Sequence, residues 1–375
     1  SQTTLGVLSY DGAALARKGV VVVTVNYRLG PFGFLAHPDL TAESPQRSSG
    51  NYAVLDHIAA LEWVRDNIAA FGGDPANVTI FGQSAGAWSV NATQATPLAQ
   101  GLFHRVIGES GAQVSGTQTL AAAEQNGVDL AKAVEADSLD ALRAVPAERL
   151  VLVPSFRAWL NVDGWILPEE VRTLFGQRRH SQVPVLVGSN AHEWTTLADP
   201  ATFPPTVEAY GQLVDTLFPG LREQFDQAYP VTSAADIPAA LQGLWRDTWF
   251  TLPMRTWARL ATAAGQPAYL YQFTHVPPSP KASTWGAYHV SEVQYVFGNL
   301  DTPGFQYTDA DRELSEMMSS YWVNFATHGD PNGAGLPAWP PDDETTEPYL
   351  DLGVTVPKDH LLQMQLDFLE RAQRR

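Results

Sequence analysis

Apolar positions fall along this chain in two rhythms. Continuous β-branched or apolar runs predict strands at 20–27 (Val20-Val21-Val22-Val23-Thr24-Val25-Asn26-Tyr27), 77–81, 105–108, 183–188 and 268–273. The first is unbroken enough to be buried on both faces. Elsewhere apolar residues recur every three or four positions. Leu55, Ile58, Leu61, Trp63, Val64 and Ile68 predict a helix over about 52–69, ending before Phe71-Gly72-Gly73-Asp74-Pro75. Helical patterns also run over 119–149, interrupted by Pro146, and over 206–228, 236–264, 316–327 and 361–374. Gly30-Pro31-Phe32-Gly33-Phe34 reads as a turn-rich loop and 329–343 as a Pro/Gly-rich one.

Strands alternating with helices predict an α/β protein: a mostly parallel central sheet flanked by crossover helices. The aromatic-rich segments 206–228 and 236–264 are placed as a helical layer around the active site. No repeat or low-complexity linker divides the chain, so 1–375 reads as one domain.

Composition narrows the classes. Apolar residues make up 45% and charged residues 17%, which supports a large core. A net charge of −17 without a Lys/Arg run argues against nucleic acid and anionic membrane surfaces. No apolar stretch reaches the ~20 residues of a membrane span. With no cysteine there is no disulfide, thiolate nucleophile or Cys-type zinc site. The compartment stays open, a secreted or periplasmic place being favoured over the cytoplasm. The chain starts at Ser-Gln-Thr-Thr without Met or a signal peptide, which predicts a natural N-terminus farther upstream.

Chemistry enters at Gly82-Gln83-Ser84-Ala85-Gly86, between the 77–81 strand and an Ala-rich stretch able to start a helix. A serine between two glycines at a strand-to-helix junction is a nucleophile elbow. The sharp turn exposes the hydroxyl, and the N–H of Ala85 points toward a developing oxyanion. A serine hydroxyl needs a base, and the base an orienting acid. In α/β folds built on such an elbow the chain order is Ser, acid, His. His37 and His57 precede Ser84, and His104 follows too closely. His180 sits in a basic run, while His328 and His360 fall in segments read as loop and helix start. His275 ends a strand. His289, in the small, aromatic loop Trp285-Gly286-Ala287-Tyr288-His289, is the expected base. The 183–188 strand runs into Ser189-Asn190-Ala191-His192-Glu193-Trp194, which makes Glu193 the expected acid. Asp199 lies farther out, beside Pro200, and Asp163 reads as a turn residue.

With these residues placed, the chain resembles the type-B carboxylesterases, the group that includes cholinesterases, bile-salt-activated lipases and bacterial esterases. The likeness covers nearly the whole chain. It rests on Val25-Asn26-Tyr27-Arg28-Leu29-Gly30-Pro31-Phe32-Gly33-Phe34-Leu35, Phe71-Gly72-Gly73-Asp74-Pro75, the elbow, Glu109-Ser110-Gly111, His289-Val290-Ser291-Glu292 and Phe325-Ala326-Thr327-His328-Gly329-Asp330-Pro331. The resemblance implies an α/β-hydrolase fold and a triad of Ser84, Glu193 and His289. It implies that Ser110 and Glu292 support the histidine from behind.

Departures from that pattern carry their own expectations. Gln83 stands where the family usually has Glu, which leaves less negative charge beside the site. Trp194 adds bulk beside the acid, and His192 reads as a surface replacement. Phe156-Arg157-Ala158 occupies the stretch that forms the acyl pocket in cholinesterase-like members, and Ala158 replaces an aromatic there. Trp245, Trp249 and Phe250 have two readings, the lining of a gorge and, as the default at helical spacing, core packing. Finally, no His-Gly-Gly occurs. The family's Gly-rich oxyanion loop and its strand are expected upstream, since 1–8 is too polar to replace a central strand.

The expected function is hydrolysis of carboxylic esters through an acyl-enzyme, on a small-molecule ester, without metal or cofactor. The expected partner is an upstream segment of the same protein. The competing reading is a non-catalytic, cholinesterase-like binding or adhesion protein that keeps the fold alone.

Overall fold

In the computed structural model, residues 10–114, 116–343 and 345–374 are described. The expectation drawn from residues 1–8 lies outside them. Six strands form the central sheet: β1 (Thr79–Gln83), β2 (Arg105–Glu109), β5 (Val185–Asn190), β6 (Ala268–Phe273), β7 (Pro348–Asp351) and β8 (Val356–Asp359), in the order β1-β2-β5-β6-β7-β8. All neighbours are parallel except the β7–β8 hairpin. A separate pair, β3 (Gln118–Thr119) and β4 (Asn161–Val162), lies outside it.

The middle strands are largely apolar because both faces are covered, and every residue of β5 and β6 is buried, the polar Ser189, Asn190 and Gln272 included. One core packs Val106, Val185, Val187 and Leu270 against Trp257 and Met254 of the helix Leu252–Ala263. The other packs Ile107, Leu186, Tyr271 and Phe273 against Tyr321, Trp322 and Phe325 of the helix Asp309–His328. Gly108 permits the first contact, since a Cβ there would lie 2.4 Å from the Trp257 ring.

The helices run close to their predicted spans: Tyr52–Asn67, Leu120–Ala133, Val207–Leu217, Arg222–Ala228, Ile237–Arg246 and Gln363–Gln373. The 316–327 prediction begins too late, because Thr308 and Asp311 form a capping box seven residues upstream of it. Gly30–Phe34 is a short helix rather than a loop, started by Pro31 in its first turn.

The 20–27 strand is the main correction. These residues join no strand, and Val21, Val23 and Val25 are 45%, 39% and 42% exposed. Val20 and Val22 pack on the second core and are half-buried, while the other face is bare. The apolar run lacks a ladder partner, and without paired N–H and C=O groups it cannot be a strand. β1 is correspondingly the sheet edge, and its five residues are only half-buried.

Candidate active site

β1 ends at Gln83 and the helix Ala85–Ala95 begins two residues later, leaving Ser84 alone to turn the chain. Its φ of 56° and ψ of −117° lie outside the regions a residue with a Cβ normally occupies. The turn is fixed on both sides: the Ser84 N–H donates to Glu109 O at 2.8 Å, and Trp88 N–H to Ser84 O at 3.0 Å. A Cβ on Gly82 would lie 2.5 Å from the Gly86 backbone, so glycine is required there. A Cβ on Gly86 meets nothing within 4 Å.

β5 delivers Glu193, the expected acid. At its carboxyl end the chain enters the 3₁₀ turn Glu193–Thr195, and the Glu193 carboxylate folds back so that Oε1 accepts the Asn190 N–H at 2.7 Å. Its Oε2 lies 2.5 Å from His289 Nδ1. Glu193 is fully buried and His289 is 7% exposed. The loops carrying these two residues are stitched together. His192 N–H donates to Ala287 O, Ala287 N–H donates to His192 Nδ1, and Asn190 Nδ2 donates to Tyr288 O. With its Nδ1 proton directed at Glu193, His289 keeps a lone pair on Nε2. Gln83 Nε2 lies 3.4 Å from that nitrogen and donates toward it. Ser84 Oγ makes no hydrogen bond among the described residues, a common state for a nucleophile without substrate.

Behind this pair lies a carboxyl cluster. Glu292 is fully buried, with Oε2 accepting from Asn190 Nδ2. Burial, then the charges of Glu193 and Glu109, push its pKa well above the usual carboxylate range. Glu109 is raised by burial to about 7, opposed by the Trp322 indole N–H that it accepts at 2.7 Å. Ser110, at a φ of 57°, donates its N–H to Gly188 O and keeps a buried hydroxyl without a partner.

Ser84 and His289 open into a cavity of about 330 Å³ whose walls include Trp88, Trp194, Trp249 and Phe250. Phe250 packs on His289 with ring centroids 5.0 Å apart, and Trp194 stacks on Trp249 at 6.3 Å. Trp194 therefore lines the site. Phe156 packs instead against the small cluster around Leu130 and Leu142, and Ala158 is exposed, so neither lines this cavity. Of the two readings of the aromatics, Trp249, 42% exposed, fits the gorge alone, while Phe250 is buried and lines the cavity as well. Trp88 sits one turn after the nucleophile on the same helix face, and that spacing is the signal that could have found it. Ala85 is exposed at the helix start, beside the serine. Among the described residues no helix is long and apolar enough to cross a membrane.

The carboxylesterase family profile matches residues 2–369. Fumonisin B1 esterase of Sphingopyxis macrogoltabida is 35% identical over 346 residues, and carboxylesterase 5A of Canis lupus familiaris 35% over 388. These alignments cover 88% and 95% of this chain but 63% and 66% of the relatives, so the chain spans just under two thirds of their length. The crystal structure of a Geobacillus stearothermophilus carboxylesterase superposes with a TM-score of 0.83 at 32% identity, covering 96% of this chain and 78% of that one.

Proposed function

This chain belongs to the carboxylesterase family, and on that premise we propose that it forms the catalytic part of a serine esterase cleaving small carboxylic esters. The observation that carries the reading is the 2.5 Å contact of Glu193 with His289 Nδ1, beside a strained serine that shares one cavity with that histidine. Ser84 Oγ attacks the ester carbonyl carbon while His289 Nε2 takes its proton, displacing the Gln83 amide from that lone pair. Glu193 holds the ring and stabilises the imidazolium. The Ala85 N–H receives the oxyanion. The imidazolium then protonates the departing alcohol, and water, activated by the same nitrogen, releases the acid and restores Ser84. Every proton in this cycle passes through one nitrogen, so neither metal nor cofactor is required. Gln83, Ser110 and Glu292 act by supporting the imidazole.

The same reading includes a segment from outside residues 1–375. It supplies further oxyanion donors in a Gly-rich loop and, as one domain with this chain, a strand along the free edge of β1.

The test is covalent labelling with an organophosphonate alongside hydrolysis of a short-chain nitrophenyl ester. Stoichiometric adduct on Ser84 with turnover is the expected result. A fully folded protein that takes no label would support the binding-only alternative instead.

A further inference from the structure

The centre proposed above lies in an acidic interior. Glu109, Glu193 and Glu292 are each no more than 1% exposed and act on one another electrostatically, with the fully buried Tyr271 beside them. A cation that acts on Glu193 is Arg246, the last residue of the helix Ile237–Arg246. Its Nε and Nη2 form a fork on Asp247, at 2.7 and 3.0 Å. Its Nη1 donates to the carbonyl of Ala191 at 3.0 Å, two residues before Glu193. Asp247 is fully buried and also accepts the Tyr229 hydroxyl at 2.9 Å. Burial alone would lower the guanidinium pKa, but Asp247, Tyr229 and Glu193 together raise it.

Asp247 also opens the π-helical turn Asp247–Thr251. Such turns are rare and often accompany functional sites. Ser189 Oγ of β5 donates to Thr251 Oγ1 at 3.3 Å, and Phe250 from the turn packs on His289. One ion pair thus touches both the loop that carries the acid and the turn that walls the base.

We propose that Arg246 is a positioning residue of the hydrolytic centre, clamping the Glu193 loop to the π-turn and offsetting the buried carboxylates around His289. This rests on the esterase reading of Ser84, Glu193 and His289. The titratable groups facing the pair are Glu109 on β2, Tyr271 on β6, Glu292 after His289, Asp247 and Tyr229 behind Arg246, and His192 beside Glu193. Arg246 thus sets a positive charge against Glu193, the carboxylate that holds His289 Nδ1.

The experiment is the pH profile of kcat/KM for nitrophenyl ester hydrolysis by the full protein carrying this chain. Arg246→Met removes the positive charge that acts on Glu193, so the acid-limb midpoint is expected to move up, by about one pH unit. The plateau kcat falls about tenfold as the acid loop loosens. Asp247→Asn leaves the guanidinium uncompensated and moves the midpoint down. Arg246→Lys keeps the wild-type midpoint but not the full kcat, because an ammonium cannot make the fork. Midpoints that stay fixed while activity falls in all three variants overturn the proposal. If Arg246→Met fails to fold, the sign of the Asp247→Asn shift decides alone. A wild-type protein that neither hydrolyses nor labels at Ser84 removes the esterase reading and this proposal with it, which is a different result from fixed midpoints.

Discussion

Ser84 holds a conformation that costs about 1–3 kcal/mol for a residue with a Cβ. That cost separates two variants that chemistry alone would treat alike. Ser84→Ala and Ser84→Gly both lose the hydroxyl that forms the acyl bond, so both are expected to be inactive by many orders of magnitude. More than about a percent of wild-type kcat in either would refute the nucleophile assignment. Glycine accepts the backbone angles without strain, so Ser84→Gly should be more stable than Ser84→Ala by about 1 kcal/mol in urea unfolding. Equal or reversed stabilities would show that the elbow is not strained. The neighbouring Glu109 gives a pH test. Its folded-state pKa, about 7, lies above the ordinary 4.5. Such a group stabilises the fold fully below the unfolded pKa, and that contribution is lost as pH rises through the folded one. Glu109→Gln should therefore lose less Tm than the wild type between about pH 5 and pH 8; parallel curves would show that Glu109 does not titrate there. That Glu193 meets His289 and that Ser84 shares a cavity with it was legible in the sequence, because elbow spacing, strand ends and chain order constrain them. Trp88 was readable from its place one turn after Ser84, whereas Trp249 and Phe250 were open to two readings, since an aromatic at helical spacing looks the same whether it fills a core or lines a cavity.

Among the elements, the closing helix Gln363–Gln373 shows how polar contacts fix a packed position. It lies against the helix Leu252–Ala263 through Arg255 to Asp367 at 2.8 Å and Arg259 to Glu370 at 2.6 Å, with Glu347 accepting from both arginines. Arg255 is 4% exposed, and Arg255→Met leaves Asp367 without its cation and Glu347 with Arg259 alone. The expected loss is about 3 kcal/mol. Asp367 is one-third exposed, and Asp367→Asn should cost about 1 kcal/mol or less. Urea midpoints of the two variants check the ranking; equal losses would mean that the network does not dock the helix. The helix itself was plain from periodicity, as were Tyr52–Asn67 and the strands β2, β5 and β6, whose apolar runs need no distant information. β7 and β8 escaped notice because each is four residues long and contains a proline. The 20–27 segment failed in the opposite direction: its pattern is that of a central strand, but pattern specifies burial and not the presence of a partner.

That missing partner governs the whole molecule. A strand carrying the nucleophile elbow normally lies inside its sheet, yet β1 is at the edge and half-buried along its length. Across from it, Val20 and Val22 hold the second core while Val21, Val23 and Val25 face outward. Among the described residues β1 has one free edge and 20–27 has no ladder partner. A further strand is expected to give both the partner they lack. Each unpaired N–H or C=O that becomes buried costs on the order of 1–3 kcal/mol. Over a strand's length that exceeds the roughly 5–15 kcal/mol that stabilises a typical domain. The free edge is also open to pairing between copies, a route to aggregation. Residues 1–375 expressed alone are therefore expected to give little soluble, active protein. Co-expression with an upstream segment bearing a strand and a Gly-rich loop should restore both solubility and hydrolysis. A segment with the strand but with bulky residues in the loop should restore solubility and leave the rate down by about 10²–10³, the usual effect of losing an oxyanion donor. Soluble fraction and nitrophenyl ester turnover, measured for the three preparations, separate the structural contribution from the catalytic one. Full activity from residues 1–375 alone would show that the β1 edge needs no further strand.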